Sequence, residues 1–197
     1  MTSDKHGWRQ LSTETVYDNP WIRVENHDVV NPSGNKSQYG KICFKNIAVA
    51  ILAVDESSQI YLVGQYRYTL DEYSWELPMG GAPHSEDTLL AAKRELKEET
   101  GLTAASWQRI MRLHTSNSVT DEEGAVFLAR DLSRGDPDPE DTEVLAVKKI
   151  PLTEAVEWTR QGRITDAISV AAILRLAADG ASLHAASNAD EGSDQSK

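Results

Sequence analysis

Three glutamates, Glu95, Glu98 and Glu99, crowd the stretch "GGAPHSEDTLLAAKRELKEETGL" at residues 80–102, and Arg94 stands directly before them. The spacing reads as a helix. On a helical wheel Leu89, Ala92 and Leu96 form a core-facing stripe, and the three glutamates fill an adjoining arc of about 100°. Glu95 and Glu99 are i,i+4 neighbours whose like charges repel. All three acids also sit at the C-terminal end, where the helix dipole is already negative. A solvated acidic flank balanced by Lys93 and Lys97 is one reading. The other is a site for a hard divalent cation, which takes carboxylate and carbonyl oxygens as ligands. Two features favour the cation. The acids crowd the edge of the core stripe, and the preceding "WELPMGGAP" holds paired glycines that permit close backbone approach.

Several elements must position this helix. Ser85 suits its N-cap, Glu86 and Asp87 suit its positive end, and Gly101 suits its C-terminal stop. Upstream, "NIAVAILAVDESSQIYLVGQYRY" predicts two core strands, 47–54 and 60–66, turning at "DESSQ", then a loop carrying Tyr73 and Trp75. Downstream, strands are expected near 105–113, 125–132 and 144–149, with the acidic loop "SRGDPDPEDTE" at 133–143 between the last two. "PLTEAVEWTRQGR" reads as a helix opened by Pro151 and stopped by Gly162. "TDAISVAAILRLAADG" reads as a last helix from Thr165 or Asp166 to Gly180. Residues 8–43 alternate short strands and turns, an antiparallel β arm too small to bury a core of its own. The expected organisation is a disordered start (1–7), the β arm (8–43), an α/β layered domain (44–183) and a disordered tail (184–197).

Composition narrows the function. With 197 residues, 40% of them hydrophobic and 26% charged, the chain suits one globular domain with an appendage. Its net charge of −11 argues against a non-specific nucleic-acid or anionic-membrane binder, since both need excess Lys and Arg. A small anionic substrate stays possible if cations screen the repulsion. The lone Cys43 makes neither an internal disulfide nor a zinc site. No apolar run approaches the ~18 residues of a membrane span, and "MTSDKHGWRQ" lacks a signal-peptide apolar region, so a cytoplasmic protein is expected.

Taken together, these residues resemble the Nudix box, G-x5-E-x7-R-E-U-x-E-E-x-G-U with U a bulky aliphatic. Gly80, Glu86, Arg94, Glu95, Leu96, Glu98, Glu99, Gly101 and Leu102 fill every fixed position. The resemblance implies a Nudix-type α/β/α sandwich around a mixed sheet. It also implies hydrolysis of a nucleoside diphosphate linked to a second moiety, using two or more Mg2+ or Mn2+ ions. Glu95, Glu98, Glu99 and the carbonyl of Met79 would hold metal, with Glu98 and Glu99 central to catalysis and Arg94 orienting the glutamates. Gly80 would lie against the substrate.

"VGQYRY", "SWELPMGG", "HTSNSVTDEEGAVFLARDL" and "PLTEAVEWTRQGRITDAISVAAI" are similar to the ADP-ribose and nucleoside-diphosphate-sugar pyrophosphatase branch, over residues 8–178. That likeness implies that Arg67 meets a phosphate and that Glu122 meets a ribose or sugar hydroxyl. It implies a homodimer through the N-terminal arm, whose Trp8, Tyr17 and Trp21 are interface core, with Trp21 a candidate to stack on the base. It also implies a water-activating base in the 133–143 loop: Glu140 first, Asp141 by position, and Glu143 as a further metal ligand. ADP-ribose enzymes carry an "SPG" text beyond the box, and "TSNSVTDE" here has no proline. A broader nucleoside-diphosphate-sugar hydrolase, on GDP-mannose or a UDP- or ADP-sugar, therefore fits as well as ADP-ribose. Nudix action on a dinucleoside polyphosphate or capped RNA, or a non-catalytic nucleotide sensor, are the alternatives. The acidic balance and intact glutamate set weigh against them.

Overall fold

The computed structural model describes residues 4–135 and 145–191. An N-terminal antiparallel sheet runs in the order β1 (Asp4–Lys5), β2 (Trp8–Asp18), β3 (Ile22–Val30), β4 (Lys36–Phe44). A mixed central sheet contains β5 (Asn46–Ala53), β8 (Met79–Pro83), β9 (Leu102–His114) and β10 (Glu123–Arg134) in the order β8-β5-β10-β9. A third sheet, β11-β6-β7, joins β6 (Gln59–Arg67), β7 (Glu72–Glu76) and β11 (Ala146–Pro151). The helices are α1 (Thr88–Thr100), α2 (Leu152–Arg160) and α3 (Ala167–Glu191).

The sequence of β5 explains the layering. It pairs parallel with β10 and antiparallel with β8, and both its faces are covered, so it reads as an unbroken apolar run. Val49, Ile51 and Ala53 pack on Ala91, Ala92 and Leu96 of α1. Ala50 and Leu52 point the other way, into a core with Trp158 of α2, Ile168 and Ile173 of α3, and Leu62 of β6. The result is the expected α/β/α sandwich around a mixed sheet. Leu89 is only partly buried, and Ala91 joins Ala92 and Leu96 as the buried stripe of α1.

Several local expectations change. Asp87, not Ser85, caps α1: its Oδ1 accepts from the N–H of Leu89 at 2.9 Å and of Leu90 at 3.1 Å. The capping geometry leaves Glu86 outside the helix. Gly101 does end it, at φ 70°. The expected loop around Tyr73 and Trp75 is instead strand β7, followed by β8 over Met79–Pro83. Register with β6 and β5 overrides the weak strand propensity of this Gly- and Pro-rich text. Gly180 does not stop α3, which continues to Glu191 into the stretch read as a disordered tail. Gly180 has no positive φ, and a helical glycine among alanines costs only about 1 kcal/mol. In the N-terminal stretch read as disordered, Asp4–Lys5 pair with Trp8–Arg9. His6 and Gly7 both take positive φ there, the geometry of a tight hairpin turn.

The N-terminal sheet is joined to the main domain by a defined seam. Ile42 donates its N–H to Val119 O at 2.9 Å and accepts from the N–H of Asp121 at 3.1 Å. Asp121 also accepts from the N–H of Phe44 at 2.8 Å and pairs with Lys41 at 2.7 Å. The Tyr39 hydroxyl donates to Ser118 O at 2.5 Å. Among the described residues no helix is long and apolar enough to cross a membrane.

Candidate active site

A cleft of about 480 Å³ opens where β8 passes the C-terminal half of α1. Glu86, Glu95, Glu98 and Glu99 line it with Met79, Gly80 and Gly81, and Trp21 and Asn46 form its wall toward the N-terminal sheet. Arg94 lies among these acids. The two glycines explain how strand and helix come so close. A Cβ on Gly80 would fall 2.1 Å from Cδ of Glu95, and one on Gly81 would fall 2.8 Å from Nδ2 of Asn46. A side chain at either position would have to push the Glu95 carboxylate or the Asn46 amide away from the strand, so the two glycines are what let both groups lie against bare backbone.

Each carboxylate has a defined partner. Glu99, nearly buried, accepts the Met79 N–H on Oε2 at 2.9 Å, which locks the end of α1 to the start of β8. Arg94 Nη1 donates to Glu95 at 2.7 Å and to Glu98 at 3.0 Å. Its Nη2 donates to Gly81 O at 3.3 Å and lies 3.5 Å from Glu86. Burial pulls the Arg94 pKa down, but Glu95 and Glu98 outweigh it and hold the guanidinium above its ordinary value.

Among the described residues, no three His, Cys, Asp or Glu side chains gather around one point. The reason is visible in the bonds: Glu95 and Glu98 turn toward Arg94, while Glu99 turns toward Met79 N–H. The donor set nevertheless fits a hard divalent cation. Its side-chain donors are carboxylate oxygens, main-chain carbonyls lie beside them, and the site already holds one cation in Arg94.

The other expected residues are placed as follows. Trp21 stands at the rim of the cleft, strongly exposed. Arg67 and Glu122 do not line it. Arg67 makes a bidentate pair with Glu76, 2.9 Å from Nε and 2.5 Å from Nη2. Glu122 accepts from the Thr115 hydroxyl, next to the seam with the N-terminal sheet. Glu140, Asp141 and Glu143 lie outside the described residues. Sequence reasoning missed Asn46 and Glu76. Asn46 had one trace, the second glycine of the Gly80–Gly81 pair, against which its side chain lies. Glu76 had none, because its pairing with Arg67 is a tertiary contact that strand register does not give: register sets Arg67 opposite Glu72.

Comparison with known proteins sets this geometry in context. Residues 44–169 match the NUDIX domain, and residues 8–42 match the nucleoside diphosphate sugar hydrolase N-terminal domain. The chain is 31% identical over 179 residues to the ADP-ribose pyrophosphatase of Mycobacterium tuberculosis, covering 86% of this chain and 83% of that protein. It is 32% identical over 167 residues to the ADP-ribose pyrophosphatase of Bacillus subtilis, covering 84% and 90%. The crystal structure of an ADP compounds hydrolase superposes with a TM-score of 0.77 at 24% identity, covering 87% of this chain and 94% of that one, a likeness of fold.

Proposed function

Because the chain belongs to the Nudix family, we propose that it hydrolyses the pyrophosphate bond of a nucleoside diphosphate sugar, giving a nucleoside monophosphate and a sugar phosphate. One observation carries this reading. The N-terminal sheet, matched to a nucleoside diphosphate sugar hydrolase domain, brings Trp21 into the wall of the cleft that holds the α1 glutamates. Two relatives bear the name ADP-ribose pyrophosphatase, so ADP-ribose is the first substrate to try.

Glu95, Glu98, Glu99 and the carbonyl of Met79 hold two or more divalent ions, Mg2+ or Mn2+. Such ions, when bound, polarise phosphoryl oxygens, acidify a water and screen a diphosphate from a protein of charge −11. The chain's own residues do the rest. Arg94 keeps Glu95 and Glu98 aligned along one edge of the cleft, and Gly80 and Gly81 let the Glu95 carboxylate and the Asn46 amide lie directly against the backbone that faces the substrate. Arg67 offers guanidinium N–H groups to a phosphate. Trp21 stacks on the base, and Glu122 accepts from a sugar hydroxyl. Glu140 takes the proton of the attacking water, with Asp141 the positional alternative and Glu143 an added ligand. The protein works in the cytoplasm as a homodimer through the exposed N-terminal sheet.

The test is a panel of ADP-ribose and ADP-, GDP- and UDP-sugars with Mg2+, scored for products that become phosphatase-sensitive. Release of a nucleoside monophosphate from one or more is expected. Cleavage confined to dinucleoside polyphosphates or 5′-capped RNA would overturn the reading.

A further inference from the structure

We propose that Glu76 is a positioning residue, which clamps two N–H groups of Arg67 so that the remaining edge of the guanidinium is presented to the substrate's phosphates. The inference rests on the reading given above, and it starts from an unexpected reach. In the antiparallel register of β6 and β7, Arg67 lies directly opposite Glu72, while Glu76 lies opposite Val63. A cross-strand pair with Glu72 is therefore the short route to an ion pair on an exposed surface. Arg67 does not take it. Its side chain runs back past Ser74 to Glu76, whose backbone lies about 13 Å further along the strand.

The destination is costly. Glu76 is only 3% exposed, and burying a carboxylate with an arginine adds little stability over apolar packing. A pair that gives up a solvated partner for a buried one is explained poorly by stability and well by orientation. The bonds themselves point the same way. Nε and Nη2 are both engaged by one carboxylate, which fixes the guanidinium plane. Among the described residues Nη1 has no hydrogen-bond partner, and about a third of the Arg67 side chain stays exposed. The pair is thus asymmetric: a buried post holds a cation whose outer edge is reachable.

Its location fits as well. The charges of Glu99 and of Asp166 at the start of α3 both act on Arg67, so the guanidinium lies within electrostatic reach of the inner acid of the cleft. Glu76 leads within three residues to Met79, whose N–H binds Glu99. The connection between them is pinned to α3, because the Leu77 N–H donates to the fully buried Ser169 hydroxyl at 2.9 Å. Arginine post, glutamate post and box helix therefore share one rigid frame.

The experiment compares Glu76→Gln, Arg67→Met, Arg67→Met/Glu76→Gln, Arg67→Met/Glu76→Met and, as a control, Glu72→Gln. Three quantities are read: KM and kcat for ADP-ribose with Mg2+, binding of inorganic pyrophosphate with Mg2+ by calorimetry, and the urea midpoint. Glu76→Gln is expected to raise KM and weaken pyrophosphate by about tenfold, with kcat within about threefold. Glu72→Gln moves neither, and Glu76→Gln adds nothing once Arg67 is Met. Arg67→Met/Glu76→Met regains the wild-type urea midpoint while KM stays raised, a split that a merely structural pair cannot give. If Glu76→Gln keeps KM and pyrophosphate affinity within about twofold of wild type, or the double Met variant recovers KM along with stability, the inference is wrong. Failure of the wild type to cleave any nucleoside diphosphate sugar overturns the substrate reading alone, and the pyrophosphate titration then still decides the role of Glu76.

Discussion

The central sheet and the N-terminal sheet end in opposite states, and their text differs to match: β5 is an almost unbroken apolar run, while β2 is mostly polar. In β5, every residue from Val49 to Ala53 is fully buried, with α1 on one face and α2 and α3 on the other. In β2, every residue is exposed on the chain by itself, including Leu11, Val16 and Tyr17. Close packing on both faces removes side-chain freedom, which is what lets β5 and β8 hold a helix of glutamates against bare glycine backbone. A sheet with open faces cannot do that. It can offer surface, as Trp21 does at the rim of the cleft. The proposed function accordingly divides the work, with chemistry on the covered sheet and recognition on the open one.

The largest expected effect strikes the covered side. Glu99→Gln keeps an oxygen able to accept the Met79 N–H and removes a charge. Turnover should fall about a thousandfold or more, with the circular dichroism spectrum unchanged. A variant that runs at near-wild-type rate in saturating Mg2+ ends the metal-site assignment. Next comes the open side. Full-length protein should scatter light as a dimer at micromolar concentration, and deletion of residues 1–43 should give a monomer or an aggregate. A full-length monomer breaks the proposed role of the N-terminal sheet.

A matched pair of truncations then sharpens the contrast. Leu96→Ala, in the α1 face of the core, should cost about 2–5 kcal/mol in urea unfolding. Val16→Ala, on exposed β2, should change the unfolding of dissociated monomer by less than about 0.5 kcal/mol. Equal losses would mean that β2 is not an open strand.

The smallest effect is electrostatic. Asp55 binds Lys149 and accepts from the N–H groups of Ser57 and Gln59, and the Lys149 contact first, then these N–H groups, hold its pKa below the ordinary 3.8. Lowered in the folded state, this carboxylate contributes stability that is complete above pH 3.8 and fades as pH falls through the folded value. Asp55→Asn should therefore narrow its gap to wild type when urea midpoints are followed from neutral pH down into that range. A gap that widens on acidification contradicts this sign.

Legibility followed density of constraint. The box helix could be read because Glu95, Glu98, Glu99 and their glycines break local rules together, and such conflicts gather at functional sites. The strands β5, β6, β9 and β10 could be read because their apolar patterns are long. By contrast, β7 and β8 hid behind Pro78, Gly80 and Gly81, since pairing with β6 and β5 is a tertiary fact that propensity does not carry. The Ser85-for-Asp87 error is of another kind: both residues cap well, and only the backbone decides between them. Glu76 was invisible because nothing in "SWELP" says which arginine its carboxylate meets.

The seam between Ile42 and the 118–121 segment has a consequence for how the chain is made. Tyr39 binds Ser118, and Phe44 binds Asp121, across separations of 79 and 77 residues. During vectorial synthesis at ~5–20 residues per second, β4 leaves the ribosome roughly 4–15 s before its seam partners exist. Through that interval the first four strands have neither the main domain nor the seam to lean on. The nascent chain thus passes through a window in which Leu11, Val16, Tyr17 and Trp21 are open to chaperones or to the same strands on a neighbouring ribosome.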